Sequence, residues 1–214
     1  MLQIYDLLEN IREKNGELLY LCVQRRIRKE MNIQVRKATI EDAATIARVV
    51  AMAIGDASAT DYCGPDYLNV LEEVVKLEDS QYSYRNALVA EADGVPAGAV
   101  VGYDGGRLHP RRQQTLSVIH RYNPTLVMAE DETEAGEFYL DSLAVWPEFR
   151  GRGIGQALLE ALREEAFRAG FPCVGLLVDF ENPKAERLYT SLGFERVNTK
   201  TFLGHRMWHL QSRQ

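Results

Sequence analysis

The residues best suited to chemistry lie at positions 150–155, which read Arg-Gly-Arg-Gly-Ile-Gly. An apolar stretch typical of a buried strand precedes them, and an amphipathic stretch typical of a helix follows. Glycine at every second position lets the backbone approach a ligand without Cβ clashes. The first N–H groups of a helix point at an anion, and arginine suits phosphate oxygens. The pattern therefore predicts a cradle for a pyrophosphate group.

The spacing of the glycines excludes two common nucleotide-binding loops. The Gly-x-x-x-x-Gly-Lys loop is absent from this segment. The Gly-x-Gly-x-x-Gly fingerprint fails because Gly151 and Gly153 lead to Gln156, while Gly153 and Gly155 lead to Leu158. The alternative to a phosphate cradle is a glycine-rich turn that exposes two arginines and binds nothing.

A second motif follows the next predicted strand. Residues 182–189 read Asn-Pro-Lys-Ala-Glu-Arg-Leu-Tyr, and residues 192–194 read Leu-Gly-Phe. Together the two motifs, within residues 137–197, resemble the GCN5-related N-acetyltransferase superfamily, and a weaker pattern over residues 34–103 fits that family's amino-terminal half. The resemblance implies an α/β (α+β) fold with a mixed, twisted central β-sheet flanked by helices. It also implies an acetyl-CoA-dependent N-acetyltransferase without a metal, in which a primary amine attacks the thioester directly in a ternary complex.

The same resemblance implies roles for individual residues. Backbone groups of the strand before the cradle would bind the pantetheine arm, the arginine–glycine run would hold the pyrophosphate, and an asparagine side chain would bind the arm. The residues implied in acetyl-CoA binding are Leu143, Ala144, Val145, Arg150, Gly151, Arg152, Gly153, Ile154, Gly155 and Asn182.

Tyr189, in the second motif, corresponds to the residue that the family places near the thioester sulfur as a general acid. The chemistry agrees, because aminolysis of a thioester expels a thiolate whose conjugate acid has a pKa near 8.5, while a tyrosine hydroxyl titrates near 10. A positioned phenol can donate a hydrogen bond or a proton to that leaving group. The alternative is an aromatic residue that only packs a helix against the core.

The acceptor amine must lose a proton before it attacks, since an alkyl ammonium group has a pKa near 10. Glu137 stands at the strand-start position where several members of the family place a glutamate base, which acts directly or through ordered water. Residues 137, 139 and 141 share one face of the predicted strand, so Asp141 is expected to contact the acceptor amine. The alternative for each is a partly exposed carboxylate with a structural role.

Strands and helices that alternate along the chain must position these residues, which indicates a mixed α/β sheet domain. In the first half, the patterns predict a strand through residues 33–35, a helix opened by a capping box at 39–42, a loop over 55–65, a helix over 66–77, a hairpin of strands 87–90 and 95–101, and a helical excursion within 102–123. In the second half, they predict strands over 138–145 and 174–179, helices over 153–169 and 183–192, and closing strands over 194–197 and 202–209.

Composition limits the class of protein. The chain has 214 residues, 46% of them apolar, and a net charge of −6, which fits a globular protein and excludes collagenous or disordered chains. The negative charge disfavours nucleic acid, and no apolar run reaches the roughly 20 residues of a membrane span. Three widely spaced cysteines and a start that is not a secretory signal favour the cytoplasm.

Residues 31–214 are predicted to form the acetyltransferase domain, and residues 1–30 a helical extension ending in a basic cluster. That extension is either a docking helix or the product of an upstream start codon. The expected partner is a small-molecule or peptide amine, with a possible homodimer and no membrane or nucleic acid. Two rival hypotheses remain open, a non-catalytic acyl-CoA-binding module and an interaction or regulatory role centred on the extension.

Overall fold

The structure is a computed structural model that describes residues 31–202 and 204–214, so the predicted extension over residues 1–30 lies outside the described residues. Seven strands form one sheet. They are β1 (Ile33–Lys37), β2 (Ala87–Ala92), β3 (Val95–Asp104), β4 (Phe138–Val145), β5 (Cys173–Asp179), β6 (Glu195–Phe202) and β7 (His205–Arg213). Their order across the sheet is β1-β2-β3-β4-β5-β7-β6. Only β4 and β5 pair in parallel, so the sheet is mixed, as predicted.

Helices cover both faces of this sheet. They are α1 (Ala43–Ile54), α2 (Asp56–Cys63), α3 (Tyr67–Lys76), α4 (Leu108–Ile119), α5 (Ile154–Arg168) and α6 (Pro183–Ser191). Neighbouring residues of a strand point to opposite faces, so Val100 of β3 packs in the core beneath α5 while Val101 packs in the core beneath α1 and α3. The two apolar cores hold the sheet as the middle layer.

Three predicted elements have different bounds in the structure. The segment predicted as a loop over 55–65 contains helix α2, whose buried Ala59, Tyr62 and Cys63 lie at helical spacing between polar residues. The excursion within 102–123 begins later, since β3 continues to Asp104. The closing hairpin is longer than predicted, because β6 is a largely exposed edge strand without apolar alternation and its pairing with β7 holds it in place.

Strand β4 positions the predicted site residues. It pairs with β3 along its length, but its parallel pairing with β5 ends at Leu140 opposite Leu176. Val101 of β3 pairs with Ser142 and Gly102 pairs with Leu140, so Asp141 is the extra residue of a β-bulge. The bulge changes the alternation, and Leu143 therefore packs against the core beneath α5, on the face that Leu140 also uses.

Candidate active site

A cleft of about 420 Å³ opens where β4 and β5 separate, a volume within the range of small-molecule sites. Three elements line it: residues 143–145 of β4, the turn that leads into α5, and the side of α6 that carries Tyr189. Met52 of α1 closes another side. The structure thus brings the two sequence motifs, which are separated by β5 in the chain, to the same cavity.

The turn before α5 has the geometry that a phosphate cradle requires. Gly151 and Gly153 have φ angles of 70° and 84°, a left-handed conformation that favours glycine. Gly153 is the N-cap of α5, so the first N–H groups of that helix have no intrahelical carbonyl partner. A Cβ atom at Gly155 would stand 3.7 Å from Val145 Cγ2, in the space between the helix and β4. These residues fit a pyrophosphate held against the helix N-terminus.

The two arginines of the cradle differ in their surroundings. Arg150 is exposed, and its Nε donates to the backbone oxygen of Val145 at 3.1 Å. The Arg152 guanidinium stands 5.7 Å from the ring centre of Phe149. Neither pairs with a carboxylate of residues 31–202 or 204–214, so both charges can serve an anionic ligand.

The backbone of β4 beside this cradle has one open edge. Leu143, Ala144 and Val145 pair with β3 on one side, while on the other side the pairing with β5 has already ended. Every second N–H and C=O group of an extended strand points to each edge. Residues 143–145 therefore offer hydrogen-bonding groups to an extended ligand that enters between the strands.

Helix α6 brings Tyr189 to the cleft, and Asn182 lies at the start of the same helix without lining the cleft. Asn182 caps the helix through its side-chain oxygen, which accepts from Ala185 N at 3.2 Å, so its NH2 group is the part that can donate to a ligand. The half-buried Tyr189 lines the cleft, and its ring packs edge-on against Phe194 at 5.9 Å between centres. Burial raises the pKa of Tyr189 to about 12, so its hydroxyl is a donor at neutral pH.

Asp141 lies at the bulge, two residues before the open edge of β4. Ser142 Oγ donates to Asp141 Oδ1 at 2.8 Å, and the Tyr103 hydroxyl stands 3.4 Å from Oδ2. Burial and the nearby charge of Glu132 raise the pKa of Asp141 to about 7, although these two hydrogen bonds lower it. The carboxyl group can therefore exchange a proton near neutral pH.

Four predicted site residues do not line the cleft, namely Arg152, Asn182, Asp141 and Glu137. Glu137 is the one of these four that is buried. Its side chain is 1% exposed and accepts three hydrogen bonds, from Thr133 Oγ1 at 2.7 Å and from His209 Nε2 and Gln211 Nε2 at 2.8 Å each. Burial raises its pKa, but those hydrogen bonds outweigh the effect, so the pKa of Glu137 lies below its ordinary value. It stands just before Phe138, at the end of β4 that pairs with both β3 and β5, and lies about 13 Å along the strand from Asp141.

The comparisons with known proteins decide the family. The model of the acetyltransferase (GNAT) family matches residues 58–194. The chain belongs to the GNAT family. The cleft that holds both sequence motifs lies on β4, α5 and α6, and all of its lining residues except Met52 fall within the matched segment.

Two curated acetyltransferases are similar to parts of this chain. A mycothiol acetyltransferase from Nocardiopsis dassonvillei is 44% identical over 69 residues, which cover 32% of this chain and only 20% of that relative. Acetyltransferase Atu2258 from Agrobacterium fabrum is 30% identical over 112 residues, which cover 51% of this chain and 80% of the relative. The chain thus aligns with about a fifth of one relative and four fifths of the other.

Solved structures have the same fold. A crystal structure described as an acetyltransferase has a TM-score of 0.71 and 35% identity, and the match covers 84% of this chain and 98% of that one. The structure of yncA from Salmonella typhimurium, determined with acetyl-CoA, has a TM-score of 0.55 and 22% identity and covers 85% of this chain and 93% of that one. The predicted fold class, a mixed sheet flanked by helices, is confirmed.

The structure also shows polar residues near this GNAT site that sequence patterns missed. In the acidic loop of residues 130–134, Glu132 is buried and forms an ion pair with Arg112 of α4. Asp131 pairs with the same arginine at 2.9 Å. A loop glutamate and a helix arginine twenty positions apart leave no periodic signal, so only the tertiary structure reveals this pair.

Within residues 31–202 and 204–214, no group of three or more His, Cys, Asp or Glu side chains is arranged to hold a metal ion. In the same part of the chain, no helix is long and apolar enough to cross a lipid bilayer.

Proposed function

We propose that the protein is an N-acetyltransferase that moves the acetyl group of acetyl-CoA to a primary amine. The observation that carries this proposal is the open edge of β4, which faces a glycine cradle at the N-terminus of α5 across one cleft. Such a site suits a ligand with an extended amide-containing arm and a pyrophosphate. The acetyl-CoA in the similar structure of yncA supports the choice of that ligand.

Different residues of the site would bind different parts of acetyl-CoA. Backbone groups of residues 143–145 would pair with the amides of the pantetheine arm, as a neighbouring strand would. The NH2 group of Asn182 would donate to the same arm. Residues 150–155 would hold the pyrophosphate through N–H groups and two guanidinium groups. A backbone N–H of the open strand would also polarise the thioester carbonyl and stabilise its developing negative charge.

The transfer begins with removal of a proton from the acceptor. The ammonium group gives one N–H proton to the carboxylate of Asp141, and the freed lone pair forms a bond to the thioester carbon. The carbon–sulfur bond then breaks, and its electron pair stays on sulfur. The nitrogen loses its second surplus proton to the departing thiolate, which leaves a neutral acetamide and a free thiol.

Tyr189 would donate a hydrogen bond to the departing sulfur rather than its proton. Burial raises the pKa of this hydroxyl to about 12, whereas a thiol titrates near 8.5. Complete proton transfer from the phenol to the thiolate would therefore cost about 5 kcal/mol. A hydrogen bond to the developing thiolate avoids that cost and still lowers the barrier.

The proton-accepting role belongs with Asp141 rather than with Glu137. Asp141 adjoins the open edge of β4 and is partly exposed, and its pKa of about 7 makes it an effective base at neutral pH. Glu137 is almost fully buried, and its three hydrogen bonds leave it with a lowered pKa and therefore a weak basicity. Its contacts with β7 and the loop before β4 support a structural role.

Calorimetric titration with acetyl-CoA tests the binding part of this proposal, with NADH and ATP as control ligands. We expect saturable binding of acetyl-CoA alone and at least a tenfold loss of affinity in Gly153→Glu, which places a negative charge in the cradle. Arg168→Glu, a charge change at the exposed far end of α5, is the matched control and should bind normally. No binding by the folded parent protein would refute the proposal.

A thiol-release assay with a panel of primary amines tests the catalytic part. We expect release of free coenzyme A that depends on both the amine and acetyl-CoA. Tight binding of acetyl-CoA without release for any amine would instead support the non-catalytic acyl-CoA-binding module.

A further inference from the structure

A buried polar chain connects Asp141 to helix α4. The Tyr103 hydroxyl lies between two carboxylates, 3.4 Å from Asp141 Oδ2 and 3.2 Å from Glu132 Oε1. A phenol carries one proton, so Tyr103 can donate to only one of these carboxylates at a time. The two acidic groups are therefore linked through a single shared proton donor.

Glu132 is held firmly at its end of the chain. Its side chain is 2% exposed, and both of its oxygens have partners. Gln81 Nε2 donates to Oε1 at 2.7 Å, and Arg112 donates to Oε2. Arg112 is itself fixed by Asp131 Oδ1 at 2.9 Å and by the backbone oxygen of Glu130 at 2.8 Å. Burial raises the pKa of Glu132, and the paired guanidinium group of Arg112 opposes that rise and fixes the position of the carboxylate.

Three further tyrosines lie within electrostatic range of Asp141. Besides Tyr103, the hydroxyls of Tyr62, Tyr82 and Tyr139 lie close enough for the charges of Asp141 and Glu132 to influence them. Burial, followed by these charges, raises the pKa of all four phenols, so each stays protonated at neutral pH. The Ser142 hydroxyl completes the set that faces Asp141. Among these groups, Asp141 is the one whose pKa of about 7 lets it take up a proton near neutral pH.

We propose that Glu132 is a positioning residue of the acceptor site, and that Arg112, Glu132 and Tyr103 act with Asp141 as one unit that accepts a proton from an ammonium group. This inference rests on the proposed function, whose base is Asp141. Two carboxylates and one guanidinium group leave the unit with a net negative charge, which favours an acceptor that arrives as a cation. When the ammonium group approaches, the Tyr103 proton turns toward Glu132 and frees Asp141 Oδ2 to take the proton.

Two substitutions should shift the titration of Asp141 in opposite directions. Glu132→Gln removes a negative charge that opposes ionisation of Asp141, so the pKa of Asp141 should fall from about 7. Tyr103→Phe removes a hydrogen bond that stabilises the ionised form, so the pKa should rise. Glu134→Gln changes an exposed carboxylate of the same loop and should leave the titration unchanged.

The measurement is carbon-13 NMR of the side-chain carboxyl groups in aspartate-labelled protein without ligands, with Asp141→Asn to assign the signal. At pH 6 about one tenth of Asp141 should be ionised in the parent protein, and several times more in Glu132→Gln. The acid limb of kcat/KM should move with the NMR midpoint in each variant. Glu132→Gln removes one of the two carboxylates that pair with the buried Arg112 and leaves Asp131 as the other. If that variant fails to fold, Tyr103→Phe decides the question because it keeps both ion pairs.

An unchanged midpoint for Asp141 in both folded variants would overturn the proposal. So would a shift of equal size in Glu134→Gln, since that result would indicate a general charge effect. The NMR titration needs neither acetyl-CoA nor an acceptor. If the shifts occur but no amine supports thiol release, the coupling of Glu132 to Asp141 stands and the proposed function fails.

Discussion

The two halves of β4 differ in what the surrounding structure does with them. From Phe138 to Leu140 the strand pairs with β3 on one edge and β5 on the other, and Glu137 just before it is fully hydrogen-bonded. From Leu143 to Val145 one edge is open, and a cleft takes the place of β5. The strand is thus paired on both edges at its start and lines a cleft at its end.

The β-bulge at Asp141 marks the boundary between these halves. Below it, close packing leaves no space, and a Cβ atom on Gly175 of β5 would come within 2.0 Å of Glu137 Oε2. Above it, the side chains of Leu143 and Val145 turn to the face covered by α5, and the backbone edge becomes available. The carboxylate of Asp141 at this boundary is buried enough to have a raised pKa and is still partly exposed.

The largest expected effect is a loss of catalytic activity when Asp141 is substituted but not when Glu137 is. Asp141→Asn removes the base, so we expect kcat/KM for amine acetylation to fall by about 10²–10⁴-fold while the affinity for acetyl-CoA stays unchanged. Glu137→Gln changes a residue at the fully paired end of β4, so each folded molecule should keep the kcat of the parent protein. Steady-state kinetics with the best amine of the panel, paired with calorimetry, makes the measurement. If kcat/KM fell equally in both variants, the two halves of β4 would not differ in function.

The sequence predicted most of the frame and the cradle because their signals are local. The apolar run of β4, the amphipathic pattern of α5 and the glycines at 151, 153 and 155 are each readable within a short window. The structure confirms the family and the fold that these motifs implied. The roles of the individual cradle residues stay predictions for the experiments proposed above.

The features that the sequence did not predict depend on how the strands pair across the sheet. The alternation of residues 137, 139 and 141 contains no sign of the bulge, which depends on how β3 pairs with β4. Glu137 is predicted as a base because the resembled family places a glutamate base at the start of this strand, and the sequence does not show that His209 and Gln211 of the last strand bind its carboxylate. Helix α2 and the Glu132–Arg112 pair were missed for the related reason that tertiary contacts hold them in place.

A second prediction contrasts the two carboxylates by stability and pH. The pKa of Glu137 is lower in the folded protein than in the unfolded chain, so ionised Glu137 stabilises the fold. This stabilisation is present above the pKa of the unfolded chain and is lost as the pH falls through the pKa of the folded protein. Ionisation of Asp141 has the opposite effect on stability because its pKa is raised in the folded protein. The protein therefore loses stability as the pH rises from about 4 to about 7. Glu137→Gln should therefore destabilise the protein at pH 8 by about 1–3 kcal/mol. Asp141→Asn should stabilise it, by up to about 4 kcal/mol.

Urea unfolding of both variants and the parent protein at pH 4 and pH 8 measures this contrast. The gain in Asp141→Asn should be largest at pH 8 and nearly absent at pH 4, where the parent carboxyl is protonated in the folded state. A destabilised Asp141→Asn at pH 8 would show that the carboxylate contributes to the fold like Glu137, contrary to the division of β4 into two halves.

The smallest expected effect concerns Tyr189 on the far wall of the open half. Tyr189→Phe keeps the ring that packs against Phe194 and removes only the hydroxyl, so the fold and the affinity for acetyl-CoA should stay unchanged. Loss of one hydrogen bond to the developing thiolate should lower kcat by about tenfold, which corresponds to about 1.4 kcal/mol. The deficit should shrink with acyl-CoA analogues whose leaving group is a more acidic thiol, because a more stable thiolate needs less help from a donor. An unchanged kcat with acetyl-CoA would assign Tyr189 to packing alone and leave the chemistry of the open half to Asp141 and the β4 backbone.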